Sequence, residues 1–207
     1  MSIVVIDYGL GNVGSISNML KHISAPYSVE SSNVEAFFAA DGLILPGVGS
    51  FQEAMSLLNR SGLAAVIKEA VLERKIPLLG ICLGMQLMCN RSEEGDVEGL
   101  GLIDADVVKF RFDQPSILKV PHMGWSSVNV LKDSDLSVGL DDNSRFYFVH
   151  SYFVKCHDPE DIFMSTEHGS DFTSSFLRNN LFGCQFHPEK SHRYGIELFR
   201  NFVKWCS

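Results

Sequence analysis

The 207-residue sequence predicts an α/β fold: a mostly parallel central sheet, helices on both faces, and additional antiparallel strands, in one domain over residues 1–207. Three observations predict it. Short apolar runs alternate with stretches of helical period through the first half, as in parallel strands joined by crossover helices. From about Leu102 to Phe176 the runs become shorter, alternating and aromatic, which suits antiparallel strands. A last apolar run and an amphipathic stretch then close the chain.

Each element has its own warrant. Ile3-Val4-Val5-Ile6 is an uninterrupted apolar run and predicts a buried first strand. Ile16, Met19, Leu20 and Ile23 fall at i, i+3, i+4 and i+7, one face of a helix. Tyr27-Ser28-Val29 is a short second strand, and Leu43-Ile44-Leu45 is a third that stops at Pro46-Gly47. Leu63, Val66, Ile67, Ala70 and Val71 mark a second amphipathic helix. Pro77 to Ile81 is the next strand. Ser144 to Val149 alternates, Leu181 to Phe186 is a late core strand, and Ile196, Phe199, Phe202, Val203 and Trp205 form a closing helix.

Composition narrows the function. Net charge is −8 with scattered Lys and Arg, so the basic face that a phosphate backbone requires is missing, and nucleic acid is not an expected partner. No apolar run is long enough to span a membrane. The N-terminal run turns acidic at Asp7, too early for a signal peptide. The five cysteines, Cys82, Cys89, Cys156, Cys184 and Cys206, are odd in number and form no CxxC pair. Neither a disulfide framework nor a metal site is expected, and a reducing cytoplasm fits.

The most informative segment is Gly80-Ile81-Cys82-Leu83-Gly84. It joins a strand to a helix-compatible run in the pattern of a nucleophile elbow, with a thiol as the nucleophile. The glycines allow a strained turn and close backbone approach, and a following helix N-terminus favours thiolate. A thiolate nucleophile needs a base that later serves as an acid. His187, directly after the late strand, is the candidate. Pro188 ends strand pairing there, and Glu189, two residues on in extended chain, reaches back to orient the imidazole. An oxyanion hole needs backbone N–H groups, which Leu83 and the Gly47-Val48-Gly49 loop are placed to supply. A second motif competes. Gly9-Leu10-Gly11-Asn12-Val13-Gly14 follows a strand and opens a helix, with Glu30 where a ribose-binding acid would stand in a dinucleotide fold. Asp7-Tyr8 displaces those glycines from the strand end, and no other segment asks for a hydride cofactor.

Gly80-Ile81-Cys82-Leu83-Gly84-Met85-Gln86 with His187-Pro188-Glu189 resembles the class I (triad) glutamine amidotransferases. Within that family the resemblance narrows to the HisH group, the glutaminase subunits of imidazole glycerol phosphate synthase. Ile6 to Asn12, Pro46 to Gly49, Ser92 to Gly95, Pro121 to Trp125, His150 to Tyr152 and Gln185 to Ser191 carry it over essentially the whole chain. The resemblance implies a flavodoxin-like sandwich that hydrolyses L-glutamine without a cofactor or metal. It implies Cys82 as nucleophile, His187 as acid and base, and Glu189 as orienting acid. It places Gln86, Glu94, His150, Ser151 and Tyr152 in the glutamine pocket, with Glu94 facing the substrate ammonium. It implies a heterodimer with HisF, a (β/α)8-barrel cyclase, and puts Asn12, Trp125 and Lys190 at that interface.

The sequence departs from the family pattern in three places. Ser126 stands where Asn is usual, and Lys109 to Asp113 and Ser191 to Gly195 are atypical. Similar variations occur in paralogues that supply ammonia to amidino-sugar synthesis for surface polysaccharide. Histidine biosynthesis is the leading expectation and that pathway the alternative. An inactive scaffold is a third reading, opposed by the complete set of Cys82, His187 and Glu189.

Overall fold

The computed structural model describes residues 2–112, 118–141 and 143–207; Asp113, which ends the atypical stretch from Lys109, lies outside them. The first half runs β1 (Ile3–Ile6), α1 (Val13–His22), β2 (Tyr27–Glu30), α2 (Val34–Ala39), β3 (Gly42–Leu45), α3 (Phe51–Arg60), α4 (Leu63–Lys68), β4 (Leu78–Ile81) and α5 (Leu83–Leu87). Short strands β5 (Arg91–Ser92) and β6 (Val97–Glu98) follow, then β7 (Ala105–Lys109), β8 (His122–Ser127) and β9 (Asn129–Val130). The chain closes with β10 (Arg145–His150), β11 (Tyr152–Cys156), β12 (Ile162–Glu167), β13 (Asp171–Arg178), β14 (Leu181–Cys184) and α6 (His192–Trp205).

Five strands form a parallel block in the order β2-β1-β3-β4-β14, the flavodoxin-like arrangement. Beyond β14 the same sheet continues with antiparallel β13, β11, β12 and β9, as the aromatic alternation of the middle region predicts. Strands β8 and β10 form a separate antiparallel ribbon.

Because side chains alternate along a strand, the parallel block feeds two cores. Val4, Ile6, Leu43, Leu45 and Leu78 pack under α2, α3 and α4 with Phe37, Phe51, Met55, Leu58 and Ile67. Ile3, Val5, Ile44, Leu79 and Ile81 pack under α1 and α6 with Ile16, Leu20, Leu198, Phe199 and Phe202. Each fully buried Phe contributes roughly 1.5–3 kcal/mol.

Two helices go unpredicted from the sequence, α2 and α3. The signal for α3 is present: Ser50 caps it by accepting from the Glu53 N–H at 3.3 Å, and Phe51, Ala54, Met55 and Leu58 make its buried stripe. Helix α4 continues into a wider π turn at Glu69–Glu73, so the predicted stripe through Val71 holds but its last turn is loosened.

Gly84 shows how tightly the elbow is packed. A Cβ built there would lie 1.9 Å from the Leu45 carbonyl oxygen, which is backbone and cannot swing aside. Gly84→Ala is therefore expected to cost about 3 kcal/mol or more. Denaturant unfolding checks this, and a midpoint equal to wild type would contradict it.

Candidate active site

The C-terminal ends of β1, β3, β4 and β14 meet at one edge of the sheet, where open α/β sheets place their sites. Cys82 leaves β4 at φ 53 and ψ −109, a conformation costing an L side chain of the order of 1–3 kcal/mol. Backbone bonds hold it there. Its N–H donates to the Cys184 carbonyl at 2.8 Å, and its own carbonyl accepts from the Gln86 N–H at 3.2 Å. The predicted strain is real, and α5 is only five residues long.

His187 follows β14, and its Nδ1 lies 2.8 Å from Glu189 Oε1, with both side chains at most 2 % exposed. The contact does not arise from extended chain, as the two-residue spacing suggests. Pro188–Lys190 form a single 3-10 turn that folds Glu189 back onto the ring. A carboxylate only accepts, so Nδ1 carries the proton and Nε2 is left as the ring's other polar atom. Glu189 Oε1 also accepts from Asn12 Nδ2 at 2.9 Å. Asn12, expected at a partner interface, thus also braces the acid, and this gives the Gly-rich turn a role without a nucleotide.

The electrostatics form a coupled set. Burial works against a charged His187, but the charge and hydrogen bond of Cys82, then those of Glu189, outweigh it and raise the imidazole to about 10. Burial also works against a charged Glu189, yet the hydrogen bond and charge of His187, with Asn12, hold the carboxyl below its usual value. Burial pushes the thiols of Cys89 and Cys184 well up, and those of Cys156 and Cys206 to about 12, as expected of packing residues.

A cavity of about 400 Å³ opens over Cys82. Val48, Gly49, Leu83, Gln86, Glu94, His150, Ser151, Tyr152, His187 and Lys190 all line it. Gly47 does not; it packs behind, where a Cβ would sit 2.6 Å from the Gly84 nitrogen. Gly49 holds a φ of +96, natural for glycine alone. Tyr8 anchors the base of that loop, its hydroxyl donating to the Pro46 carbonyl at 3.0 Å. Glu94 is pinned by the Phe51 N–H, which donates to its Oε2 at 2.8 Å. Trp125 lies on the outer face of β8, 38 % exposed beside Met123 and stacked on His192. Lys190 lies with its Nζ over the Tyr147 ring.

Sequence reasoning missed a buried network behind the cavity. Gln86 Nε2 donates to the Tyr152 carbonyl and to Gln185 Oε1, both at 2.9 Å, and Gln185 Nε2 lies 3.7 Å from Cys82 Sγ. The same Tyr152 carbonyl faces His150 Nδ1 at 2.8 Å. His150 Nε2 meets His122 Nδ1 at 3.1 Å, and His122 Nε2 meets Ser126 Oγ at 2.9 Å. Burial lowers His150 to about 3 and, with the His168 charge, His122 to about 4, so both rings are neutral at pH 7. The Tyr152 carbonyl then fixes the direction: Ser126 donates to His122, His122 to His150, and His150 to the carbonyl. The only available signal was the quoted motifs themselves, since no periodicity marks Gln185 or His122.

Two histidines with depressed values carry a pH consequence. Their stabilisation is present above the unfolded value of 6.5 and is lost as pH falls from there toward 4 and 3. Melting temperature is expected to drop over that window, and less steeply in a His122→Gln, His150→Gln variant. Parallel slopes in the two proteins would contradict it.

The family model "Glutamine amidotransferase class-I" matches residues 4–205. The chain is 49% identical over 202 residues to imidazole glycerol phosphate synthase subunit HisH 2 of Methanococcus maripaludis, covering 98% of each. It is 48% identical to the protein of the same name in Pseudomonas aeruginosa, again covering 98% of each. Among solved structures, PurLQS from Thermotoga maritima shares the fold at a TM-score of 0.76 and 17% identity, covering 100% of this chain and 99% of that one. The chain belongs to the class I glutamine amidotransferase family.

Proposed function

We propose, from that membership and this cavity, that the chain is the single-domain glutaminase subunit of an imidazole glycerol phosphate synthase, acting in histidine biosynthesis in the cytoplasm. The observation that carries the reading is one cavity holding a strained cysteine beside a buried imidazole–carboxylate pair. Cys82 Sγ attacks the side-chain carboxamide carbon of L-glutamine. The N–H groups of Leu83 and of the Gly47-Val48-Gly49 loop take the oxyanion. The C–N bond breaks as His187 delivers its proton to the departing ammonia, leaving a γ-glutamyl thioester. His187 then removes a proton from water, which attacks the thioester and releases glutamate and the Cys82 thiolate. Glu189, braced by Asn12, holds His187 in the required tautomer throughout. Glu94 pairs with the substrate ammonium, while Gln86, His150, Ser151 and Tyr152 shape the rest of the pocket. The cycle is redox-neutral and consumes only water.

Ammonia released into water is protonated and lost as a nucleophile, so the product is handed to a docked synthase. A HisF-type (β/α)8-barrel cyclase fits, and the names of the relatives support it. The exposed face bearing Trp125, Met123 and Lys190 beside the cavity is the docking surface we assign to it. The test is glutamate release with the histidine-pathway cyclase and its ribonucleotide ligand, against the subunit alone. Strong stimulation supports the reading. No stimulation, from a subunit that still acylates Cys82, would overturn the partner and move the search to the amidino-sugar system, which the Ser126 departure raises.

A further inference from the structure

We propose that Gln185 holds the Cys82 sulfur through its side-chain amide N–H, in an orientation dictated by Gln86 and the Tyr152 carbonyl. This deepens the glutaminase reading and rests on it for its kinetic consequence. A carboxamide can present either its oxygen or its nitrogen to a neighbour, and the two ends look alike in shape. Here a backbone carbonyl removes the ambiguity. The Tyr152 oxygen can only accept, so the Gln86 atom 2.9 Å away is Nε2. That same nitrogen is 2.9 Å from Gln185, so the Gln185 atom facing it is Oε1. The remaining end of Gln185, 3.7 Å from Cys82 Sγ, is therefore the nitrogen, and it donates.

The pair is shielded from water. Gln185 is fully buried and Gln86 is 5 % exposed, so neither turns over at the expense of an unpaired buried polar group. Both Gln86 N–H donors are engaged within the protein, which leaves its oxygen to offer to substrate. A fixed N–H aimed at sulfur bonds a thiolate more strongly than a thiol, because a charged acceptor strengthens the hydrogen bond. It favours the thiolate again as that leaves the tetrahedral adduct during thioester hydrolysis. The preference does not depend on the short helix α5.

Two near-isosteric variants test this. Gln185→Met keeps the volume and removes the donor. Gln185→Glu keeps the acceptor for Gln86 but sets a second oxygen toward the sulfur. The first readout is alkylation of Cys82 by iodoacetamide across pH in the free chain, followed by peptide mass mapping to separate Cys82 from the other four thiols. We expect Cys82 alkylation at pH 7 to fall about tenfold in Gln185→Met, in line with loss of a charge-assisted hydrogen bond, and further in Gln185→Glu. The whole rate–pH curve should move to higher pH. With the barrel partner and glutamine, kcat should fall by a similar factor while KM stays within about twofold. An unchanged rate–pH curve in folded Gln185→Met overturns the proposal. Where that variant does not fold, Gln86→Met frees Gln185 to turn, and should give a smaller alkylation shift in the same direction; no shift there also overturns it. A wild-type chain that hydrolyses no glutamine with any partner would refute the glutaminase reading, while the alkylation comparison would still decide the role of Gln185.

Discussion

Replacing Cys82 by alanine is expected to reduce glutamine hydrolysis by about four orders of magnitude or more, with the fold intact. Cys82 is the one thiol among the described residues that line the cavity. The carboxamide is resonance-stabilised, and the remaining polar groups there position or transfer protons. The fold is indifferent because alanine occupies the same backbone conformation at the same cost, and the bonds from the Cys82 N–H to Cys184 and from Gln86 to the Cys82 carbonyl survive. Cys82→Gly extends the argument. Glycine adopts a φ of 53 without penalty, so this variant is expected to be equally inactive yet more stable by about 1–2 kcal/mol. Parallel measurement of glutamate release and denaturant midpoint checks both halves. An inactive glycine variant no more stable than the alanine variant would mean that the elbow stores no strain.

Glu189→Gln carries the second large effect. The isosteric amide keeps the shape of the turn but removes the charge that supports imidazolium and no longer dictates the His187 tautomer. A fall in kcat of about two to four orders of magnitude is expected. The pH profile supplies a finer test. His187 is raised to about 10, so the imidazolium that protonates the departing ammonia persists below that value and is lost as pH rises through it. Stability tied to the imidazolium follows the same sign: present in full below the unfolded value of 6.5, gone above about 10. Without the Glu189 charge the alkaline limb of kcat/KM moves to lower pH. A profile superimposable on wild type would place the orienting charge elsewhere.

The parallel block was readable from the sequence because its inner strands are apolar on both faces, as in Ile3–Ile6 and Leu43–Leu45, while β2 is a partly polar edge strand with a shorter signal. Helix α1 was readable from its 3.6-residue stripe. Helix α2 was not, because six residues hold only one fully buried anchor, Phe37. Helix α3 was missed although Ser50 and Glu53 announced it, since its stripe lies among polar residues. In the candidate site, Cys82 was legible because glycine punctuation of an elbow is a local constraint. His187 and Glu189 were legible as types, but the turn that joins them depends on Pro188 and does not follow from the two-residue spacing. Gln185 and His122 were not legible. Their roles come from neighbours distant in sequence, Gln86 and Cys82 for the first, His150 and Ser126 for the second. Asn12 shows the same limit, since its contact with Glu189 spans nearly the length of the chain.

The most direct test of the central claim is mass spectrometry of the acid-quenched chain after mixing with glutamine and the barrel partner. The account predicts a γ-glutamyl adduct on the peptide containing Cys82, diminished in His187→Ala, which lacks the acid that protonates the departing ammonia, and absent in Cys82→Ala. Glutamate formed at an undiminished rate by Cys82→Ala, or an adduct mapping to any other residue, would contradict it.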